Sequence, residues 1–104
     1  MPTQPNIFLF IMDGMQGKLV QPGHPCRTPN FDRVAARGIR FDNAYTPAPR
    51  TRPSFRTALT GRHPLPAMAA TGIGERFRDL GFHTAGITAN VHLVPRFGFN
   101  RGFD

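Results

Sequence analysis

The sequence contains no tryptophan, one tyrosine and a single cysteine among its 104 residues. With Cys26 alone, no disulfide can form within the chain, so cysteine usage leaves the redox compartment open. Acidic residues are also scarce, six against 13 lysines and arginines, which gives a formal net charge of +7. Hydrophobic residues make up only 39%, which is low for a self-sufficient core in a chain long enough for one small domain. We therefore expect a fold rich in loops, or a part of a larger fold.

Long hydrophobic runs are absent as well. The apolar stretch within Asn6–Asp13 has six consecutive apolar residues and ends at the aspartate. No positively charged region precedes it, so it does not have the form of a signal peptide. Six residues are also too few to cross a bilayer. We expect a cytoplasmic protein without a membrane segment.

Arginine dominates the charge that is present, with twelve of the thirteen basic residues. Arginine favours bidentate contacts with phosphate, sulfate and carboxylate groups, so an anionic small molecule or a nucleic acid is a candidate partner. A solvated basic surface explains the charge equally well. The arginines are spread over predicted loops and helices, and no finger, RNA-recognition or helix-turn-helix pattern occurs. Nucleic acid is therefore the less favoured partner.

Hydrophobic patterning and turn residues predict six elements. The apolar run at residues 6–13 is typical of a strand buried on both faces. A helix from Thr28 to Gly38 has a threonine cap, a proline at its first position and a glycine stop. Further elements are predicted at residues 39–45 (strand), 54–61 (helix), 73–81 (helix) and 82–90 (strand). This alternation predicts an α/β fold with a mostly parallel sheet flanked by helices.

Several candidate catalytic and binding residues lie at one junction between a loop and a helix. Thr51 is predicted in an extended loop, just before a helix that starts near residue 53. The N–H groups at a helix start favour an anion, and Arg52 and Arg56 add positive charge there. Asp13 ends the first strand, and strand ends and helix starts meet at one edge of a parallel sheet. A hydroxyl nucleophile, an acidic metal ligand and an anion pocket together indicate phosphoryl or sulfuryl transfer, with a divalent metal on the Thr51 oxygen to activate it.

Four segments, in order along the chain, carry a resemblance: PNIFLFIMDG, TPNFDRVAARGIRFDNAYTPAPRTRPSFRTALTGRHP, RFRDLGFHTAGITAN and GFNRGFD. Together they resemble the N-terminal part of the sulfatase family, within the alkaline-phosphatase-like superfamily of metal-dependent hydrolases. The most specific pieces are TPNFDRVAARGIRFDNAY and the spacing from Thr51 through Pro53 and Ser54 to Thr60-Gly61.

The resemblance implies that residues 1–104 are the N-terminal part of a sulfatase-like catalytic domain, with an alkaline-phosphatase-like fold that is incomplete in this chain. It implies a small-molecule sulfate or phosphate ester as substrate and a divalent metal, which could be Ca, Mg, Mn or Zn. Thr51 matches the family's nucleophile position, where it would also ligate the metal. Asp13 matches a metal-ligand position, and Arg52 and Arg56 are candidate substrate-binding residues.

The sequence departs from the family pattern at three points. Thr51 stands where the family has a cysteine or serine that is oxidised to formylglycine, and threonine is not a substrate for that oxidation. Phe55 replaces the arginine that follows Pro-Ser in the family, with Arg56 one place later. Asp13 is single where many sulfatases have two adjacent aspartates. Because the remaining ligands and acid–base residues lie downstream in the family, we expect these 104 residues to be inactive alone.

Each candidate residue also has a simpler interpretation. Asp13 can form a turn at the end of its strand, and Ser54 fits the N-cap of the second helix. Arg52 and Arg56 can lie on a solvated helix face. The four histidines have no metal-ligand spacing, although His24 lies in a loop of the kind that borders a site. The alternative function is a basic module that binds nucleic acid or another anion without catalysis.

Overall fold

The computed structural model describes residues 4–63 and 69–104. It divides into two compact units, Met1–Asn43 and Ala44–Asp104, which are described in turn. The described residues contain three α-helices, α1 (Pro29–Ala35), α2 (Thr51–Thr60) and α3 (Ile73–Asp79), and two short 3₁₀ helices at Gly17–Val20 and Pro95–Phe97.

The first unit carries α1, and its N-terminal signals agree with the prediction. Pro29 occupies the first turn, where a missing N–H costs no hydrogen bond. The Thr28 hydroxyl lies 3.4 Å from Oδ1 of Asp32, and it makes no capping bond to the backbone. The helix ends at Ala35, three residues before the predicted Gly38. Val34, on the predicted apolar stripe, is 73% exposed, so burial does not extend the helix further.

The apolar run at residues 6–13 has no regular secondary structure. Its side chains are exposed, Phe8 to 86% and Ile7 to 56%, and the Met15 N–H donates to the Met12 carbonyl in a turn at its end. No residue in 4–63 or 69–104 is assigned to a β-strand, and no helix in these ranges is long and apolar enough to cross a membrane. A strand exists only through ladder bonds to a partner. The predicted strands at 6–13, 39–45 and 82–90, and the parallel sheet, are therefore not confirmed.

The second unit begins with α2, which starts at Thr51 and not near Pro53. Pro53 is the third helical residue, and the first N–H with an intrahelical acceptor is that of Ser54, which donates to the Arg50 carbonyl at 3.2 Å. Proline is tolerated at this position because the N–H groups of the first turn have no intrahelical partner. Gly61 ends the helix with a φ of +66°, as the glycine stop predicts.

Helix α3 is closed at both ends by local interactions. At its start, the Glu75 carboxylate accepts a hydrogen bond from the Gly72 N–H at 2.8 Å, which is half of a capping box. At its end, Gly81 has a φ of +85°. The Phe82 N–H donates to the Phe77 carbonyl at 3.0 Å, and the two rings pack edge to face with centroids 5.2 Å apart. The Gly81 N–H also donates to the Arg78 carbonyl at 2.9 Å, and the two bonds with this ring contact form a Schellman motif.

The C-terminal tail, residues 101–104, packs onto the start of α3. A Cβ atom at Gly74 would lie 2.8 Å from Cζ of Phe103, and one at Gly102 would lie 2.0 Å from the Glu75 nitrogen. The Asp104 N–H donates to the Thr84 carbonyl at 2.9 Å, so residue 84 contacts this tail within the segment predicted as a strand. The approach requires glycine on both sides.

Two ion pairs also hold this tail on α3. Arg101 lies 2.9 Å from the Glu75 carboxylate, and Arg78 lies 2.8 Å from Asp104. The Gly72 N–H bond, helped by Arg101, lowers the pKa of Glu75 below its usual value. Both pairs are partly exposed, so each contributes little beyond fixing the position of the tail.

Candidate functional site

Thr51 is the first residue of α2 and is half-buried. The prediction placed Thr51 in an extended loop just before the helix, whereas its backbone is helical. Arg50 is the N-cap, with extended backbone (φ −135°, ψ 145°) and no capping bond from its side chain. The first turn contains no acidic residue. The helix dipole and the neighbouring arginines therefore give Thr51 a positive environment, which suits an approaching anion.

Ser54 does not cap the helix, contrary to the prediction, because α2 begins three residues earlier. Its hydroxyl lies 2.7 Å from that of Thr46, and the Thr46 hydroxyl is also 3.1 Å from the Ala48 carbonyl. These bonds tie the loop that precedes Thr51 to the first turn of α2. Ser54 thereby fixes the path of the chain into Thr51, the predicted nucleophile.

Arg56 makes its contacts within the second unit. Its Nη2 donates to the Phe97 carbonyl at 2.7 Å, and its guanidinium lies 5.0 Å from the centroid of the Phe99 ring. The side chain is half-buried, and these contacts join α2 to the 3₁₀ helix at Pro95–Phe97. They favour a packing role, and the predicted contact of Arg56 with substrate stays a prediction.

Arg52 is exposed, and its guanidinium carbon lies 4.4 Å from the centroid of Phe97. The guanidinium carbon of Arg96 lies 4.5 Å from the same centroid. The sequence interpretation identified Arg52 but missed Arg96 and Phe97, because they are more than forty residues further along the chain. The alternation of arginine and phenylalanine in PRFGFNR is the signal that could have found them.

Asp13 lies in the first unit, at a turn formed with Gly14, whose φ is +80°. The simpler interpretation of Asp13 as a turn residue therefore agrees with the structure, and its metal-ligand role stays a prediction. The described residues, 4–63 and 69–104, contain no group of three histidine, cysteine, aspartate or glutamate side chains able to hold a metal. Asp13 and Thr51 each carry an oxygen of the type that hard cations accept, and their predicted role as ligands of one metal stays a prediction.

His24 and Cys26 border an open cleft in the first unit that also includes Asp32 and Arg40. Nδ1 of His24 accepts a hydrogen bond from the Cys26 N–H at 3.0 Å. The Cys26 thiol is free and exposed. The imidazole nitrogen is thus committed to a local turn, in keeping with the default structural interpretation of His24.

Comparison with known proteins identifies the protein family to which the chain belongs. The family model described as Sulfatase matches residues 5–104, which confirms the resemblance seen in the sequence. The chain belongs to the sulfatase family. Membership implies the alkaline-phosphatase-like fold.

Individual relatives match the chain over part of their own length. The chain is 48% identical to human N-acetylgalactosamine-6-sulfatase over 66 residues, which cover 62% of this chain and 13% of the relative. It is 34% identical to the uncharacterized sulfatase YidJ of Escherichia coli over 112 residues, covering 95% of this chain and 22% of the relative. It is 39% identical to an arylsulfatase of Hemicentrotus pulcherrimus over 132 residues, covering 98% and 24%. The chain thus spans between about an eighth and a quarter of the length of these relatives. No solved structure matches it significantly.

Proposed function

We propose that this chain is the nucleophile-bearing part of a sulfatase-like, metal-dependent hydrolase that acts on small-molecule sulfate or phosphate esters. The observation that carries the proposal is the place of Thr51 at the first residue of α2, in a chain that the Sulfatase family model matches over residues 5–104. The resemblance implies the family's nucleophile at this residue. The relatives named as sulfatases support the reaction class. A cytoplasmic location stays a prediction.

Thr51 would attack the sulfur or phosphorus atom with its hydroxyl oxygen, the bond from that atom to the ester oxygen would break, and the departing alcohol would take up the proton that Thr51 loses. Water would then hydrolyse the sulfated or phosphorylated Thr51 and release inorganic sulfate or phosphate. A threonine hydroxyl is a weak nucleophile near neutral pH. Members of the family generally depend on a divalent metal, which when bound lowers the pKa of a coordinated hydroxyl. Asp13 and the Thr51 oxygen would be two of its ligands, as the resemblance implies, and the family's remaining ligands would complete the site.

Arg52 would bind the oxyanion of the ester. It is exposed, follows Thr51 directly and is oriented by the Phe97 ring. Its guanidinium offers planar, paired donors that match the oxygen atoms of sulfate or phosphate. Charge that builds on these oxygens during attack would be stabilised by the same donors and by the first turn of α2.

The test is hydrolysis of aryl sulfate and aryl phosphate esters by the protein encoded by the complete reading frame. Thr51→Ala should lower kcat at least about a thousandfold, because it removes the attacking oxygen, and Thr51→Ser should retain part of the activity. Thr60→Ala is the matched control, since Thr60 lies on the same helix and its hydroxyl bonds only locally, to the Arg56 carbonyl and the Arg62 N–H. Equal kcat values for Thr51→Ala and Thr60→Ala would exclude Thr51 as the nucleophile.

The second candidate function is a basic module that binds nucleic acid or another anion without catalysis. It is favoured by the net charge of +7 and by the two arginines on Phe97. This function predicts nucleic-acid affinity that falls steeply with salt, in a protein that hydrolyses neither ester.

A further inference from the structure

Two hydroxyl groups link the chain on either side of Thr51. The Thr46 oxygen lies 2.7 Å from the Ser54 hydroxyl oxygen, and the Thr46 hydroxyl donates to the Ala48 carbonyl at 3.1 Å. A hydroxyl has one proton to donate and two lone pairs with which to accept. Because the Thr46 proton is used on Ala48, the Ser54 hydroxyl donates to Thr46. This hydroxyl link therefore runs from Ser54 through Thr46 to Ala48, and Thr51 lies between its ends in sequence.

The backbone enclosed by the hydroxyl link has little conformational freedom. Three of the seven residues between Thr46 and Ser54 are prolines, Pro47, Pro49 and Pro53. Each proline fixes its own φ and lacks an N–H. Within residues 4–63 and 69–104, no N–H of residues 46–50 donates to a backbone carbonyl. The bonds of the Thr46 side chain therefore hold this stiff loop in place.

The first turn of α2 has no side-chain cap, and the hydroxyl link is what joins it to the loop. Arg50, the N-cap residue, makes no capping bond with its side chain, although such a bond is the usual way to fix a first turn. Ser54 bonds twice instead. Its N–H donates to the Arg50 carbonyl at 3.2 Å, and its hydroxyl reaches back to Thr46. The position of the first turn thus depends on a side chain that precedes the helix by five residues.

We propose that Thr46 is a positioning residue for Thr51, acting through the Ser54 hydroxyl. This rests on the proposed function, in which the Thr51 oxygen is the nucleophile. An attacking atom must be held about 3–3.5 Å from its target with its orbitals aligned, and a small displacement lowers the rate. Without the Thr46 hydroxyl, the Ser54 proton loses this acceptor and the loop is released. The first turn, and Thr51 with it, then occupies the reactive position for a smaller fraction of the time.

The first test is hydrogen exchange in the protein encoded by the complete reading frame, and it requires no activity. Thr46→Val keeps the branched side chain and removes the hydroxyl. Exchange of the Ser54 N–H should accelerate about three- to tenfold, the effect of losing one hydrogen bond. The Gly61 N–H, which donates to the Thr57 carbonyl at the other end of α2, should exchange at its native rate. Equal acceleration at Ser54 and Gly61 would contradict a local effect on the first turn and overturn the proposal.

The second test is the kcat for ester hydrolysis. Thr46→Val should lower kcat about tenfold, and Thr46→Ser, which keeps a hydroxyl, should retain most of the activity. Ser54→Ala should also lower kcat, and the double variant should be no slower than the slower single variant, because both changes break one link. Thr71→Val, at another exposed threonine of the second unit, is the matched control and should keep the native kcat. Effects that multiply in the double variant, or a Thr46→Ser as slow as Thr46→Val, would refute the positioning role.

The positioning role and the proposed function fail in different ways. Hydrolysis that Thr51→Ala abolishes and Thr46→Val leaves at the native kcat would overturn the positioning role and leave the proposed function. A complete protein that hydrolyses neither ester would overturn the proposed function, and the catalytic role of Thr46 would fall with it. Selective exchange at the Ser54 N–H in Thr46→Val would even then confirm that Thr46 holds the first turn of α2.

Discussion

Replacing Gly102 by alanine should detach the C-terminal tail from α3. Gly102 has a φ of +78°, and an added Cβ would lie 2.0 Å from the Glu75 nitrogen and 2.3 Å from the Gly74 carbonyl carbon. Both atoms belong to the backbone of α3, so no side-chain rotation can relieve the clash.

The magnitude follows from two separate costs. An L-residue in the left-handed region costs about 1–2 kcal/mol, and overpacking against fixed neighbours costs about 1–3 kcal/mol more. The free energy of tail docking should therefore fall by about 2–5 kcal/mol. Gly81→Ala is the matched control, because Gly81 has a φ of +85° and an added Cβ there meets nothing within 4 Å. It should show the backbone cost alone.

Tail docking can be measured by amide exchange and by trypsin. The Asp104 N–H is protected by the Thr84 carbonyl, so its exchange should accelerate at least about tenfold in Gly102→Ala for each 1.4 kcal/mol lost. Cleavage after Arg101 should accelerate in parallel, since docking protects that bond. If the Asp104 N–H exchanges at the same rate in Gly102→Ala and Gly81→Ala, the close approach of the tail to α3 is not what holds the tail in place.

Two further predictions concern the contacts of α3 and α2. The Gly72 N–H bond, and after it Arg101, favour the charged form of Glu75 and lower its pKa. The stabilising contribution of Glu75 is therefore complete above the ordinary pKa of a glutamate and is lost as pH falls through the lower folded pKa. Protection of the Gly72 amide from hydrogen exchange should therefore fall in acid. Glu75→Gln should remove this pH dependence, while Asp79→Asn, at the other end of α3, should keep it. The same acid dependence in Glu75→Gln would contradict the assignment. Arg56→Lys should destabilise the second unit by about 1–3 kcal/mol, since lysine lacks the planar guanidinium that reaches the Phe97 carbonyl. Arg62→Lys, at an exposed residue, should be nearly neutral. A urea titration followed by circular dichroism measures both, and equal unfolding midpoints would refute the role of Arg56.

The positions of the three helices were predictable, and the errors lie at their boundaries. Helix α2 begins at Thr51 because the N–H groups of the first turn need no intrahelical acceptor, so Pro53 does not mark the start. Helix α1 ends early because its apolar stripe has little burial to gain. The predicted strands depend on partners distant in sequence, which a local pattern cannot supply.

The family and the helix stops at Gly61 and Gly81 follow from the amino-acid sequence alone, because they depend on motifs and on backbone preferences within a few residues. Folding of the whole second unit brings Arg56 to the Phe97 carbonyl, 41 residues away, and places Arg52 and Arg96 against one ring. Folding likewise places Gly102 against α3. These contacts join residues far apart in the chain, and their geometry arises only when the intervening segments fold.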